Sequence, residues 1–286
     1  MGLGGYLTWT PAAREIRKRA GKNIFILPVE QHGSFIKIID SEIFRHNDDF
    51  INLRGELTKN VFKDCYIFPL VLNNPDANYC KKDTPEKAFH RPDIHIIHQI
   101  CECYGITNSE LKCVLNLDYK ERNFANDFHK CILNGERFIT IEPFSKDNYT
   151  PNRRYPFEKW QKVVDCISDK IKVVQVGNSE KVLKNVTDLT NNTTFREAAA
   201  IIGKSELFLS TESGLVHAAT AVETKSIVIH TGYADLRLTS YPQNINISIS
   251  SHGPCGLKIR CDECTKDAIF HDEFLIVEKI MKELEL

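Results

Sequence analysis

From Phe138 to His230 the sequence alternates short β-branched apolar runs with longer amphipathic stretches, in the order strand, loop, helix, strand, helix, strand, helix, strand. Near-continuous apolar runs such as Ile227-Val228-Ile229 suit strands buried on both faces. Strands separated by helix-length segments run parallel, because each crossover returns the chain to the same edge of the sheet. The pattern therefore predicts an α/β fold. Strands are expected at Phe138–Glu142, Lys172–Gly177, Leu207–Ser210 and Ser226–His230. Helices are expected at Pro156–Lys170, Thr194–Gly203, Ser213–Val222 and Asp272–Glu283, with Pro156 suited to a first helical turn where its missing N–H costs nothing. The N-terminal half carries the same signals less regularly, with strands expected at Asn23–Leu27, Cys65–Leu72 and Lys112–Leu117 and helices at Pro11–Ala20 and Pro85–Tyr104. The 286 residues suffice for two α/β domains, and the polar, Pro-bearing stretch Ser145–Asn152 is the expected linker. That divides the chain into 1–145 and 146–286, with the last helix expected to pack back on the first domain.

The balance of charge is nearly neutral, 37 Lys+Arg against 38 Asp+Glu, without the basic excess that a non-specific nucleic-acid binder carries. No run of 18 apolar residues spans a bilayer. Arg14, Arg17, Lys18 and Arg19 follow the apolar part of the N-terminus, the reverse of a signal peptide. Ten cysteines without a framework read as reduced thiols, so the expected location is cytoplasmic.

Five places carry residues suited to chemistry. Gly2–Gly5, before the first helix, lets backbone approach a ligand; Gly4 and Gly5 form the expected substrate-facing turn, although a glycine run by itself is an ordinary tight turn. Such a turn usually follows a strand, so a first strand is expected to be missing ahead of it. Arg153 and Arg154 precede the helix at Pro156, where guanidiniums match phosphate oxygens; Ser145, Lys146 and Thr150 could add donors. Glu180 follows a strand end, where α/β sheets bind ligands and a carboxylate can take ribose hydroxyls; the same turn also reads as a plain helix cap. Glu212-Ser213-Gly214 opens a helix carrying His217, so backbone N–H groups can meet a diphosphate while Glu212 faces sugar hydroxyls. Cys255, Cys261 and Cys264, with His252 and His271 nearby, have the elements of a structural zinc site in non-standard spacing, and reduced thiols in a compact loop are the simpler reading. No Asp-x-Asp occurs, which favours charge neutralisation by arginine and helix dipoles over a divalent ion, and no cofactor is expected.

Together these segments resemble glycosyltransferase family 9, whose best-known members are lipopolysaccharide heptosyltransferases. The resemblance is carried by Gly2-Leu3-Gly4 with Thr10-Pro11-Ala12, by Arg153-Arg154-Tyr155-Pro156-Phe157-Glu158-Lys159-Trp160, by Val173–Gly177 with Glu180, by Leu189-Thr190 with Thr194–Ala199, and by Glu212–Ala219. It implies a GT-B architecture, two Rossmann-like parallel-sheet domains facing across a cleft, with inverting transfer of a sugar such as heptose and no essential metal. The implied partners are a nucleotide-sugar donor and a glycan or lipid-linked acceptor met at the inner membrane face. By position, Arg153 holds the diphosphate, Glu180 the ribose, and Glu212, Ser213, Gly214 and His217 the sugar-phosphate region. The family's presumed base, an Asp after the Leu-Gly of its first turn, is here Gly5, which cannot take a proton. Replacement bases are expected at strand ends of the first half: Glu30 and His32 first, then Asp76, Asp83, His90, Asp93 and His95. Gly5 also keeps open a second reading, a catalytically silent GT-B protein that binds a nucleotide or glycan. A dinucleotide-dependent oxidoreductase is disfavoured, since no Gly-x-Gly-x-x-Gly follows a strand.

Overall fold

The computed structural model describes residues 2–21, 23–51, 66–77, 80–144 and 149–286. Helices α1 (Leu3–Leu7) and α2 (Thr10–Ala20) lead into β1 (Ile24–His32), which pairs antiparallel with β2 (Phe35–Ile38) and parallel with β3 (Tyr66–Val71). Among the described residues the first sheet is thus mixed and three-stranded rather than wholly parallel. The chain reverses at Gly33, whose φ of +62° is one that glycine adopts without a steric penalty, and returns along β1. The glycine turn expected at Gly2–Gly5 is instead the start of α1.

A single helix over Pro85–Tyr104 does not form. The segment opens with a hairpin, β4 (Cys80–Asp83) and β5 (Ala88–His90), closed by Thr84, whose Oγ1 accepts from the Lys87 N–H and whose own N–H donates to the Lys87 carbonyl. Pro92 disfavours helical backbone at the residue before it, and α3 (Ile96–Glu102) starts only after His95 caps it. Lys112–Leu117 forms no strand either. Its Val114 N–H donates to Thr10 Oγ1, while Arg14 and Arg196 donate to the Lys112 and Asn116 carbonyls. Side chains there satisfy backbone groups that a neighbouring strand would otherwise have taken. Helix α4 (Tyr119–Asp127) begins with a capping box of Asp118 and Glu121.

The second half meets the expectation closely. In chain order it holds β6 (Phe138–Glu142), α5 (Phe157–Ile167), β7 (Lys172–Gln175), β8 (Thr187–Asp188), α6 (Phe195–Ile202), β9 (Phe208–Thr211), α7 (Gly214–Ala221), β10 (Ser226–His230), α8 (Leu236–Thr239), β11 (Ile245–Ser248), α9 (Asp262–Phe270) and α10 (Phe274–Leu284). Its six strands form one parallel sheet in the order β11-β10-β9-β6-β7-β8. Numbered from β6 this is the doubly wound order 3-2-1-4-5-6, with its switch point between β6 and β9. Strand β6 shows how the sheet is sandwiched: Phe138 joins the core that continues into the first half, while Ile139 and Ile141 point into a second core. There α5 buries Trp160, Val163, Val164 and Ile167, an i, i+3, i+4, i+7 stripe worth roughly 1.5–3 kcal/mol per side chain. Ile276, Ile280 and Leu284 of α10 belong to this second core, so the last helix packs over its own sheet and beside α5 rather than returning to the first half. Arg196 of α6, 2% exposed, forms a two-pronged pair with Glu121 and also donates to the Glu42 and Asn116 carbonyls, tying α6 to the first half.

Candidate functional site

The carboxyl ends of β6 and β9 open into a cavity of about 1730 Å³ lined by both halves of the chain. β6 ends in Glu142 and β9 runs into Glu212-Ser213-Gly214, so the sheet's switch point forms the cavity's floor. Ser213 stands at the N-cap of α7, but its hydroxyl donates to Glu142 Oε2 at 2.5 Å, as does that of Ser210 at 3.0 Å. Ser213 therefore makes no side-chain cap to the first turn of α7, and the positive end of the helix faces the cavity. Gly4 of α1 packs directly against this turn: a Cβ there would lie 2.5 Å from Gly214 Cα and 3.3 Å from the His217 ring. Gly4 and Gly5 do line the cavity, and Gly4 also permits the contact between the two helices.

Arg153 lines the same space. Its guanidinium lies over the Tyr233 ring, 4.7 Å from the centroid, and its buried Nε has no partner among the described residues. The neighbouring Asn152 fixes its base: the carboxamide donates to the Leu257 and Ile259 carbonyls and accepts from the Cys261 N–H. Glu212 lines the cavity as well and is 5% exposed, with Oε1 accepting from the Thr239 hydroxyl and 3.6 Å from His230 Nδ1. Burial pushes its carboxyl up, but His230, Arg153 and Thr239 outweigh that and leave it below its ordinary range, hence ionised. Its buried Oε2 has no partner among the described residues, an acceptor left unsatisfied in the cavity's lining. His217 is held by Tyr241, whose hydroxyl is 2.6 Å from Nδ1; burial and Arg153 lower its pKa to about 4, so the imidazole is neutral. Glu180 is exposed at the cavity's edge, in the loop after β7.

The expected base residues separate in space. Glu30 lines the cavity together with Gly5, and its charge, after burial, raises the pKa of Tyr6 on α1. His32 does not line it; its exposed ring stands 3.7 Å from the Glu30 carboxylate. Asp83 and His90 also reach the cavity, whereas Asp76, Asp93 and the buried helix-capping His95 do not. Ser145 and Lys146 lie outside the described residues.

Glu142 had not been singled out from the sequence. The signal was a carboxylate closing a fully buried strand. Burial pushes its pKa up to about 7 against the pull of Ser213 and Ser210. Tyr233, Tyr241 and His230 had no such signal, because they come from loops and strand ends that only the fold brings together.

A second cluster lies behind Arg153. His252, Cys261 and Cys264 place ligand atoms within 4.8 Å of one another, and Cys255 Sγ is 3.5 Å from Cys264 Sγ. His252 Nε2 is 3.5 Å from both Cys264 Sγ and Asp267 Oδ2, while its Nδ1 is 2.6 Å from the Gly253 carbonyl, so Nε2 is the nitrogen turned to the thiols. Two thiols and an imidazole within this reach, with a third thiol 3.5 Å from one of them, offer the donor set of a tetrahedral site, in which bonds of about 2.3 Å put sulfurs about 3.8 Å apart. His271 is not part of this group; its Nδ1 is 2.9 Å from the Tyr155 hydroxyl.

The model of glycosyltransferase family 9 (heptosyltransferase) matches residues 93–267, more than half of the chain. No curated protein matches. Among solved structures, a glycosyltransferase family 9 protein from Veillonella parvula superposes with a TM-score of 0.65 at 14% identity, covering 100% of this chain and 94% of that one. The iron-containing dodecameric glycosyltransferase TibC from enterotoxigenic E. coli gives 0.63 at 12% identity, over 100% and 74%. E. coli ADP-heptose lps heptosyltransferase II gives 0.51 at 13%, over 67% and 62%. At these identities the likeness is one of fold.

Proposed function

Because the chain belongs to glycosyltransferase family 9, and is in that sense a glycosyltransferase using a nucleotide sugar, we propose that it transfers heptose from ADP-heptose, with inversion and without a catalytic metal, to a glycan or lipid-linked acceptor. The convergence of Arg153, the uncapped start of α7 and the ionised Glu212 at the switch point carries this reading. Arg153 and the α7 N–H groups would hold the diphosphate, Glu180 the ribose, Glu212 the sugar hydroxyls, and His217, with Ser213 and Gly214, the sugar-phosphate region. A heptosyltransferase of the same fold, TibC, is known in complex with ADP-D-beta-D-heptose, which favours that donor. In this reading the halves 1–145 and 146–286 are the two domains of a GT-B enzyme, the first presenting the acceptor. Among the described residues no helix is long and apolar enough to cross a membrane. In this reading a lipid-linked acceptor is met from the cytoplasm at the inner membrane face.

Glu30 is the base in this mechanism. What supports this role is that Glu30 lines the same cavity as Gly5, that its charge is felt by Tyr6 on α1, and that His32 lies beside it. As the acceptor oxygen bonds to the anomeric carbon, Glu30 takes its proton and the C–O bond to the diphosphate breaks with its electron pair. Glu30→Gln should lower turnover about 10²–10⁴-fold with ADP affinity kept. Arg153→Ala should weaken ADP binding by roughly 1–3 kcal/mol by calorimetry, and unchanged affinity would remove Arg153 from the site. If the wild type binds ADP yet neither transfers nor hydrolyses any ADP-sugar, the silent-binder reading replaces the enzyme. The cysteine cluster is proposed as a structural metal centre, remote from the transfer step.

A further inference from the structure

His90 ends a hairpin that comes from the first half but is fastened to the second. The Ala88 N–H donates to the Gly256 carbonyl at 2.8 Å, and the Lys258 N–H to that of Glu86 at 2.7 Å. Lys87 bridges Leu257 antiparallel, and Lys258 Nζ is 2.6 Å from Asp83. Gly256, at φ +62°, makes this possible, since a Cβ there would lie 2.1 Å from the Ala88 oxygen. Asn152 grips the same segment from the other side through the Leu257 and Ile259 carbonyls. His90 and Arg153 are therefore mounted on one frame, and both rest on one ring: Tyr233 lies 5.2 Å from the His90 centroid and 4.7 Å from Arg153 Cζ. Both line the cavity.

We propose that His90 is a further catalytic residue, a second ligand of the donor diphosphate that takes up a proton as the nucleotide binds and donates a hydrogen bond to the leaving phosphate beside Arg153. This rests on the donor reading above. The charged groups that face His90 are Arg153 at the approach to α5, Glu212 after β9, Asp83 on its own hairpin and Lys258 on the bridging segment. Burial, then Arg153, hold the imidazole down to about 4, against the pull of Glu212 and Asp83, so it is neutral in the free protein. An incoming diphosphate replaces the dominant neighbouring positive charge with a net negative one, and the charged imidazole becomes favourable. The proton comes from solvent on binding and returns to it when the nucleotide leaves. In the displacement the electron pair of the breaking C–O bond stays on the phosphate oxygen, whose added charge Arg153 and His90 share.

The test is calorimetry of ADP binding at pH 7 to wild type, His90→Gln and His90→Lys, each in two buffers of different ionisation enthalpy such as PIPES and Tris. The wild type should show proton uptake as a buffer-dependent heat. His90→Gln should bind about 10-fold more weakly, the scale of one charge-assisted hydrogen bond, without uptake. His90→Lys, already charged, should recover affinity, again without uptake. Wild-type affinity or unchanged buffer dependence in His90→Gln overturns the inference. Should His90→Gln lack a cooperative melting transition, His90→Lys decides: ADP binding without uptake supports the role, and retained uptake overturns it. A wild type that binds no ADP or other nucleoside diphosphate overturns the donor reading and this inference with it.

Discussion

Glu142 shows how much one enclosed side chain can change the behaviour of the chain. Its carboxyl is hydrogen-bonded by two serines, and burial holds its pKa up at about 7 against 4.5 for a free glutamate. Between those values the folded protein keeps a proton that the unfolded chain has lost. Stability therefore falls as pH rises from about 4.5 to about 7 and levels off above. Glutamine keeps the acceptor oxygen but has no proton to lose. The melting temperature of Glu142→Gln should thus gain on that of the wild type by several degrees between pH 5 and pH 8, the scale of a shift worth at most about 3 kcal/mol. Parallel melting curves across that range would mean that Glu142 ionises as freely in the fold as outside it.

At the scale of elements, the contact between α1 and α7 couples the N-terminus to the first turn of α7. Two glycines make it: nothing but Gly4 fits against Gly214, and the atom a Cβ would strike is backbone, which cannot rotate away. Gly4→Ala should force the helices apart and cost roughly 1–3 kcal/mol in denaturant unfolding, as overpacked core sites do. It should also weaken ADP binding, since α7 presents its first turn from that contact. Gly2→Ala is the matched control, because a Cβ there meets nothing within 4 Å. Equal stability of the two variants would show that α1 can shift without strain.

For the whole molecule, the segment that carries Cys255 and Cys261 is a junction. It holds Asn152 next to Arg153, and it holds the hairpin that carries His90. A metal bound by His252, Cys255, Cys261 and Cys264 would therefore stabilise both walls of the cavity without touching the reaction. Removing it with a strong chelator should lower the melting temperature, and Cys264→Ser should abolish roughly one equivalent of metal measured by elemental analysis. Transfer, assayed below the lowered melting temperature, should survive the chelator. Loss of turnover at a temperature where the chain stays folded, restored by Mg²⁺ or Mn²⁺, would instead place a metal in the transfer step.

The apolar runs of the second half determined four of its six parallel strands by themselves, because a strand buried on both faces needs no partner-specific signal to be read, whereas β8 and β11, at the sheet's edges and only partly buried, carry no such run. Arg153, Glu212 and Ser213 were legible for a related reason: they follow strand ends or precede helix starts, where local sequence dictates backbone direction. The β-branched pattern of Lys112–Leu117 says nothing of whether a neighbouring strand exists, and here the side chains of Thr10, Arg14 and Arg196 take that place. The hairpin at Cys80–His90 was hidden because what holds it, the segment around Gly256, is far away in sequence. Which base candidates reach the cavity, and that Glu142, Tyr233 and Tyr241 belong to the site at all, depended on distances across the packed structure. Local sequence sets how the backbone runs, but burial, charge and reach are set by residues that only the tertiary fold brings together.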